Sequence, residues 1–242
     1  KMKPFTSSQK QFINTGKILN DQLAEKVLQA LGKSDLVHLP KRHHYIVSTP
    51  GTGKTFTVQA AIDSHKLEVV RIQGVASMSA IAISLACAAY LSKGAEINVW
   101  IDDCDSIFLD MASLSVMKGV LDEDRNVLSW NKNMTTQIQV YEKSDSAADV
   151  LKAEAMRAYQ PIGSVGLSVP TDNMRFIITS NRFLTPPNSN LNTRRKMDEA
   201  AIRDRVVYSE YNLARDESWG WVASILLSSK ILKLKLEQKH IL

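Results

Sequence analysis

The octapeptide Ser48-Thr49-Pro50-Gly51-Thr52-Gly53-Lys54-Thr55 sits between an apolar run, Tyr45-Ile46-Val47, and a helix-like start, Phe56-Thr57-Val58. A strand, a glycine-rich bend and a helix in that order form a concave turn whose backbone N–H groups can close around an oxyanion. Glycine keeps side chains out of the way, and the helix N-terminus directs its positive end inward. The segment from Thr49 to Phe56 therefore reads as a phosphate-binding loop. Lys54 would reach the β and γ phosphates, and the Thr55 hydroxyl would face Mg²⁺. Ser48 stands where the strict pattern has a first glycine, which predicts a milder bend there because serine avoids positive φ.

At 242 residues and 44% hydrophobic content the chain can bury a full core. No apolar run approaches the roughly 18 to 20 residues of a membrane span, and no segment resembles a secretion signal. Cys87 and Cys104 stand far apart without a C-x-x-C partner, which argues against a zinc site or a disulfide framework and favours a reducing cytoplasm, that of a host cell if the chain is viral. The net charge of +5 would keep the protein near nucleic acid without showing that it binds any.

Apolar positions near helical spacing from Ser7 to Leu31, ending at Gly32, predict a helical lead-in over 1–33. The core then spans 34–213. Strands are expected at His44 to Val47, Leu67 to Ile72, Ile97 to Ile101 and Arg175 to Thr179, with helices between them from Phe56 to about Ser64, Ser77 to Ser92 and Ile107 to Leu121. Strands alternating with helices predict an α/β fold, a mostly parallel sheet covered on both faces, with ligands at the strands' C-terminal ends. The stretch 126–173 exceeds that rhythm and reads as an insertion. Within it Thr135 to Tyr141 alternates like a β-ribbon, Ala147 to Tyr159 reads as a helix, and Pro161 to Pro170 reads as loop. Residues 214–242 are left for a partial helical lid or tail, in which Lys230 to Leu236 is an amphipathic run.

Asp102 closes an apolar strand and is followed by Asp103, giving Ile101-Asp102-Asp103-Cys104-Asp105. Together with Pro50 to Thr55, Ile178-Thr179-Ser180-Asn181-Arg182 and Ala201-Ile202-Arg203-Asp204-Arg205, in this order, the set resembles the AAA+ ATPases, a class of P-loop NTPases. Asp-Asp-Cys-Asp and Asn126 to Trp130 bring it nearest to the single-module members encoded by bacteriophages. The resemblance implies a Mg²⁺-dependent ATPase. Thr55 and Asp102 would serve the metal, Asp103 would polarise the attacking water, and Asn181 would orient that water and sense the γ-phosphate. Arg205, or failing that Arg203, would be the finger completing a neighbouring subunit's site in a ring or spiral, with a hexamer the expected count. Read bare, Asn181 also fits a strand-end turn residue and the two arginines also fit a solvated helix end, in each case the lesser reading.

Departures from the family pattern shape the expected activity. Asp103 is one methylene shorter than the more usual Glu, which points to slow turnover. The segment Gly74 to Ser79 holds no aromatic residue, which argues against polypeptide threading. Arg215 comes too early for a second sensor arginine. Trp219 and Trp221 read as packing, and Phe5, His43 and His44 only flank the nucleotide loop. The output expected from the resemblance is remodelling or loading of a partner, with DNA or a DNA-bound protein favoured by charge. The rival is a module that binds ATP to assemble and hydrolyses little or none.

Overall fold

The computed structural model describes residues 6–32 and 42–211, together with 220 and 222. Phe5, Arg215, Trp219, Trp221, the run 230–236 and nearly all of the linker before the first strand lie outside the described residues.

A five-stranded parallel sheet organises the chain, in the order β2-β3-β6-β1-β7. Its strands are β1 (His43–Val47), β2 (Val69–Gln73), β3 (Ile97–Asp102), β6 (Met174–Ser180) and β7 (Val206–Glu210). Because side chains alternate across a strand, the three central strands supply two cores at once. Tyr45, Val47, Val99, Ile101, Phe176 and Ile178 enter the larger one, whereas Ile46, Trp100 and Ile177 enter the other. This is the α/β architecture expected from alternating strands and helices.

The smaller core is covered by α1 (Ser7–Ala30) and α2 (Lys54–Ser64). Helix α1 starts in a reciprocal cap: the Thr6 hydroxyl accepts from the Gln9 amide while the Gln9 side chain accepts from the Thr6 amide. It buries Leu23, Val27 and Ala30 against the sheet, each large side chain contributing roughly 1.5–3 kcal/mol. Gly32 follows at φ 65°, and a Cβ there would come within 3.1 Å of the Arg175 guanidinium.

The larger core lies beneath α3 (Met78–Ser92) and α4 (Met111–Val120). Helix α3 is capped by Ser77, as the sequence indicates, and its alanines let α6 (Ala147–Ala158) pack closely. The expected helix over Ile107 to Leu121 is in fact two pieces. A short 3₁₀ turn, Asp105–Phe108, is followed by α4, which Asp110 restarts by accepting from the Ser113 amide at 2.8 Å.

The 126–173 segment departs furthest from expectation. Thr135 to Tyr141 is not a ribbon: it forms α5 (Thr135–Glu142), with Ile138 fully buried and Val140 turned to solvent. The apolar residues that mimic alternation are sorted by a helical turn once buried Met134 is anchored through its amide to the Val165 carbonyl. The ribbon is made instead by β4 (Val127–Trp130) and β5 (Leu167–Pro170), the latter inside the expected loop. Gly166 makes that pairing feasible, since a Cβ there would lie 2.2 Å from the Trp130 carbonyl oxygen. Gly166→Ala is therefore expected to cost roughly 1–3 kcal/mol or more, because the clash is with backbone that cannot rotate away. A urea denaturation midpoint equal to that of the unsubstituted protein would contradict this.

Strand β7 also escapes the sequence reading. Helix α7 (Arg194–Arg205) runs directly into it, with Val206 already extended, and no glycine or proline marks the change. Among the described residues no helix is long and apolar enough to cross a membrane.

Candidate active site

Register places the ends of three strands side by side. Val47 pairs with Ser180 and Asp102 pairs with Thr179, so the segments following β1, β3 and β6 emerge at one edge of the sheet. That edge carries the loop from Ser48, the Asp102-Asp103 pair and Asn181.

The loop bends at Gly51 and Gly53, with φ of 80° and 81°, values that only glycine adopts freely. Ser48 does not share this conformation, in keeping with the milder bend expected of it. It is fully buried, and its hydroxyl accepts from Lys54 Nζ at 2.8 Å while donating to the Thr49 carbonyl at 3.0 Å. Thr52 is bonded to both Ser48 and Thr49, so Thr49 serves the loop's internal bonding while Pro50 through Phe56 line the pocket. Gly53 caps α2 without a side chain, leaving the first amides of the helix directed toward the pocket. Burial holds the Lys54 ammonium below its ordinary pKa, against the opposing pull of Asp103, Asp105 and Asp102.

Lys54 and Asp103 are joined through one amide. Asn181 accepts from Lys54 Nζ at 2.8 Å and donates to Asp103 Oδ1 at 3.1 Å, which fixes the amide's orientation between an ammonium and a carboxylate. Asp103 sits at φ 52°, a left-handed conformation that costs an L-residue roughly 1–3 kcal/mol. Its amide continues the ladder to the Thr179 carbonyl at 3.0 Å, which holds the bend and turns the carboxylate over the loop. Partial burial, then the neighbouring Asp102 charge, raises the Asp103 carboxyl above its ordinary value, opposed by Lys54 and Asn181.

Asp102 is fully buried. Its Oδ1 accepts from Thr55 Oγ1 at 3.0 Å and from Thr179 Oγ1 at 2.7 Å, and Thr179 in turn accepts from the Trp100 indole at 2.9 Å. Its Oδ2 accepts from Arg71 at 2.6 Å. A hydroxyl beside a carboxylate is a hard-oxygen pair suited to Mg²⁺. Among the described residues no group of three or more His, Cys, Asp or Glu could hold a metal, so a cation here would rely on phosphate oxygens and water for its remaining ligands.

The structure thus lines a cavity of about 560 Å³ with Lys54, Thr55, Asp103 and Asn181, keeps Asp102 buried behind Thr55, and does not bring Arg203 or Arg205 to them. Arg203 donates to the Leu184 carbonyl at 2.9 Å, pairs with Glu210 and stacks over Tyr208. Arg205 pairs with Asp122 at 2.9 Å on the wall of a separate groove of about 860 Å³, shared with Lys118, Arg125, Lys132 and Arg194. His43 and His44 are buried in β1 at the strand's other end, and burial pushes their pKa values down to about 3 and about 4. Sequence reasoning missed Arg71 and Thr179. A lone charge inside the apolar run from Val69 to Ile72 was the available signal for Arg71.

Comparison with protein families matches residues 44–203 to the ATPase family associated with various cellular activities. No curated protein matches the chain. The matched span starts within β1 and stops in the last turn of α7, taking in the entire phosphate edge of the sheet, and it covers well over half of the sequence. The chain belongs to the AAA family of ATPases.

Proposed function

We propose that the chain is a Mg²⁺-dependent ATP hydrolase that works as a ring or spiral and remodels or loads a partner. The observation that carries this reading is the Lys54–Asn181–Asp103 chain, which holds an ammonium, an amide and a carboxylate over one glycine loop. The loop amides and Lys54 would bind and orient the triphosphate. Asp103 would accept the proton of the attacking water, which Asn181 positions in line. Thr55 and Asp102 would hold Mg²⁺, which when bound neutralises charge on the phosphate oxygens. Arg205 lines a separate groove and takes no part in the cavity of its own loop, as a residue serving a neighbouring copy would.

The partner would not be a threaded polypeptide, since Val75, the most prominent side chain between β2 and α3, is aliphatic and fully exposed. The net charge of +5 and the lysines and arginines of the Arg205 groove favour DNA or a DNA-bound protein. Two free cysteines, one of them buried, fit a reducing cytoplasm.

Steady-state phosphate release tests the reading through its pH dependence. If Asp103 is the base, kcat/KM falls as pH drops through the Asp103 pKa of the free protein, which lies above the usual aspartate value. Asp103→Asn should lose this acidic limb along with roughly 10²–10⁴ in rate. Tight ATP binding with no measurable release by the unsubstituted protein would instead support the assembly-only module, which the short Asp103 side chain favours.

A further inference from the structure

Arg71 lies in β2, paired in register with Trp100 of β3. Its guanidinium is held from three directions. Nη2 donates to Asp102 Oδ2 at 2.6 Å, Nη1 donates to Gln59 of α2 at 3.0 Å, and the guanidinium carbon stands 4.1 Å from the centroid of the Trp100 ring. The side chain is 32% exposed, whereas that of Asp102 is 0% exposed, and Arg71 lines the same cavity as the phosphate loop. The other carboxylate oxygen of Asp102 already accepts two hydroxyls, from Thr55 and Thr179. A buried carboxylate with two hydroxyl donors still carries a full charge, and Arg71 is the cation that meets it.

We infer that Arg71 is the resident counter-ion of Asp102 and sets the divalent-cation requirement of nucleotide binding. The guanidinium supplies a counter-charge to the buried carboxylate and keeps Asp102 preformed beside Thr55 in the absence of metal. A Mg²⁺ drawn to the Asp102 carboxylate would meet the repulsion of this guanidinium and would have to compete with its hydrogen bond. The two cations are thus linked, and by reciprocity whatever holds Arg71 on Asp102 raises the Mg²⁺ concentration needed to load nucleotide. Gln59 and Trp100 would still hold the guanidinium if its bond to Asp102 were lost. This rests on the reading of Thr55 and Asp102 as metal-side donors.

Arg71→Met tests the inference, since it keeps an apolar stem over Trp100 and removes the charge. Binding of a fluorescent N-methylanthraniloyl ATP would be titrated with Mg²⁺, and melting temperature would be measured in EDTA. The half-saturating Mg²⁺ concentration should fall about tenfold, within the usual range for coupled sites. The EDTA melting temperature should fall by several degrees, and adding Asp102→Asn to the variant should recover most of that loss. Arg71→Lys should remain near the unsubstituted protein. An unchanged or raised Mg²⁺ requirement would overturn the inference. So would equal weakening of nucleotide binding in EDTA and in Mg²⁺, which would make Arg71 a phosphate ligand. An EDTA melting temperature that Asp102→Asn does not rescue would also overturn it. That last measurement needs no nucleotide, so it judges Arg71 separately even if the fluorescent ATP fails to bind, a result that would instead sink the ATPase reading.

Discussion

Arg205→Ala is expected to lower steady-state phosphate release by about 10³-fold or more while leaving ATP binding nearly intact, the effect an inserted guanidinium has in phosphoryl-transfer enzymes. The expectation follows from placement. Arg205 ends α7, bonds Asp122 and the Ala201 carbonyl, and contributes nothing to the cavity around Lys54. A residue so placed can act on a γ-phosphate only in another copy. Its own fold should tolerate the loss, because an ion pair whose arginine is 32% exposed is worth about 1 kcal/mol or less. Mixing supplies the sharper test. Arg205→Ala protein has an intact loop and Lys54→Ala protein has an intact finger, so the mixture should regain activity that neither shows alone. Asp122→Ala separates this from a structural role, since it breaks the same pair but should keep most of the rate. Arg205→Ala protein within twofold of the normal rate, or a mixture that stays inactive, would remove the finger from Arg205. Arg203, fixed between the Leu184 carbonyl, Glu210 and Tyr208, would be a poor substitute.

The three central strands were legible because burial on both faces writes them as unbroken apolar runs, and the glycine loop was legible because its chemistry dictates residue types at fixed spacing. Asp102, Asp103 and Asn181 followed, each being the first polar residue or nearly so beyond such a run. Arg71 was not legible as a site residue. Its meeting with Asp102 depends on the pairing of β2 with β3, in which Arg71 opposes Trp100 and reaches two positions along the partner strand. Local sequence carries no record of that register. The helix α5 was misread because Ile138 and Val140 satisfy alternation, and what decides the matter is the distant contact of Met134 with Val165. The strand β7 was missed because Val206 to Glu210 gains its partner, β1, from the far end of the chain. Both errors fall where long-range pairing overrides a short pattern.

Lys54→Met is expected to abolish the stabilisation that ATP and Mg²⁺ confer, without lowering the melting temperature of the nucleotide-free protein. Lys54 is buried, yet its three hydrogen bonds run to neutral oxygens: the Ser48 carbonyl, the Ser48 hydroxyl and the Asn181 amide. Three nearby aspartates act on it only at longer range, and burial outweighs them, which is why its pKa is depressed. An ammonium in that setting is held at a cost, and an apolar side chain of similar length relieves it, the familiar exchange of stability for function at a binding site. A triphosphate supplies the missing countercharge. At a nucleotide concentration about 100 times Kd the unsubstituted protein should gain about 2.7 kcal/mol, visible as a rise of roughly 5–10 °C, while Lys54→Met should gain almost nothing. Asn181 then loses its ammonium partner but keeps Asp103, so the variant should retain the preformed amide–carboxylate pair and fail at binding rather than at folding. An equal nucleotide-dependent rise in both proteins would show that the triphosphate does not reach Lys54. A variant that melts well below the unsubstituted protein without nucleotide would show instead that the lysine holds the loop together.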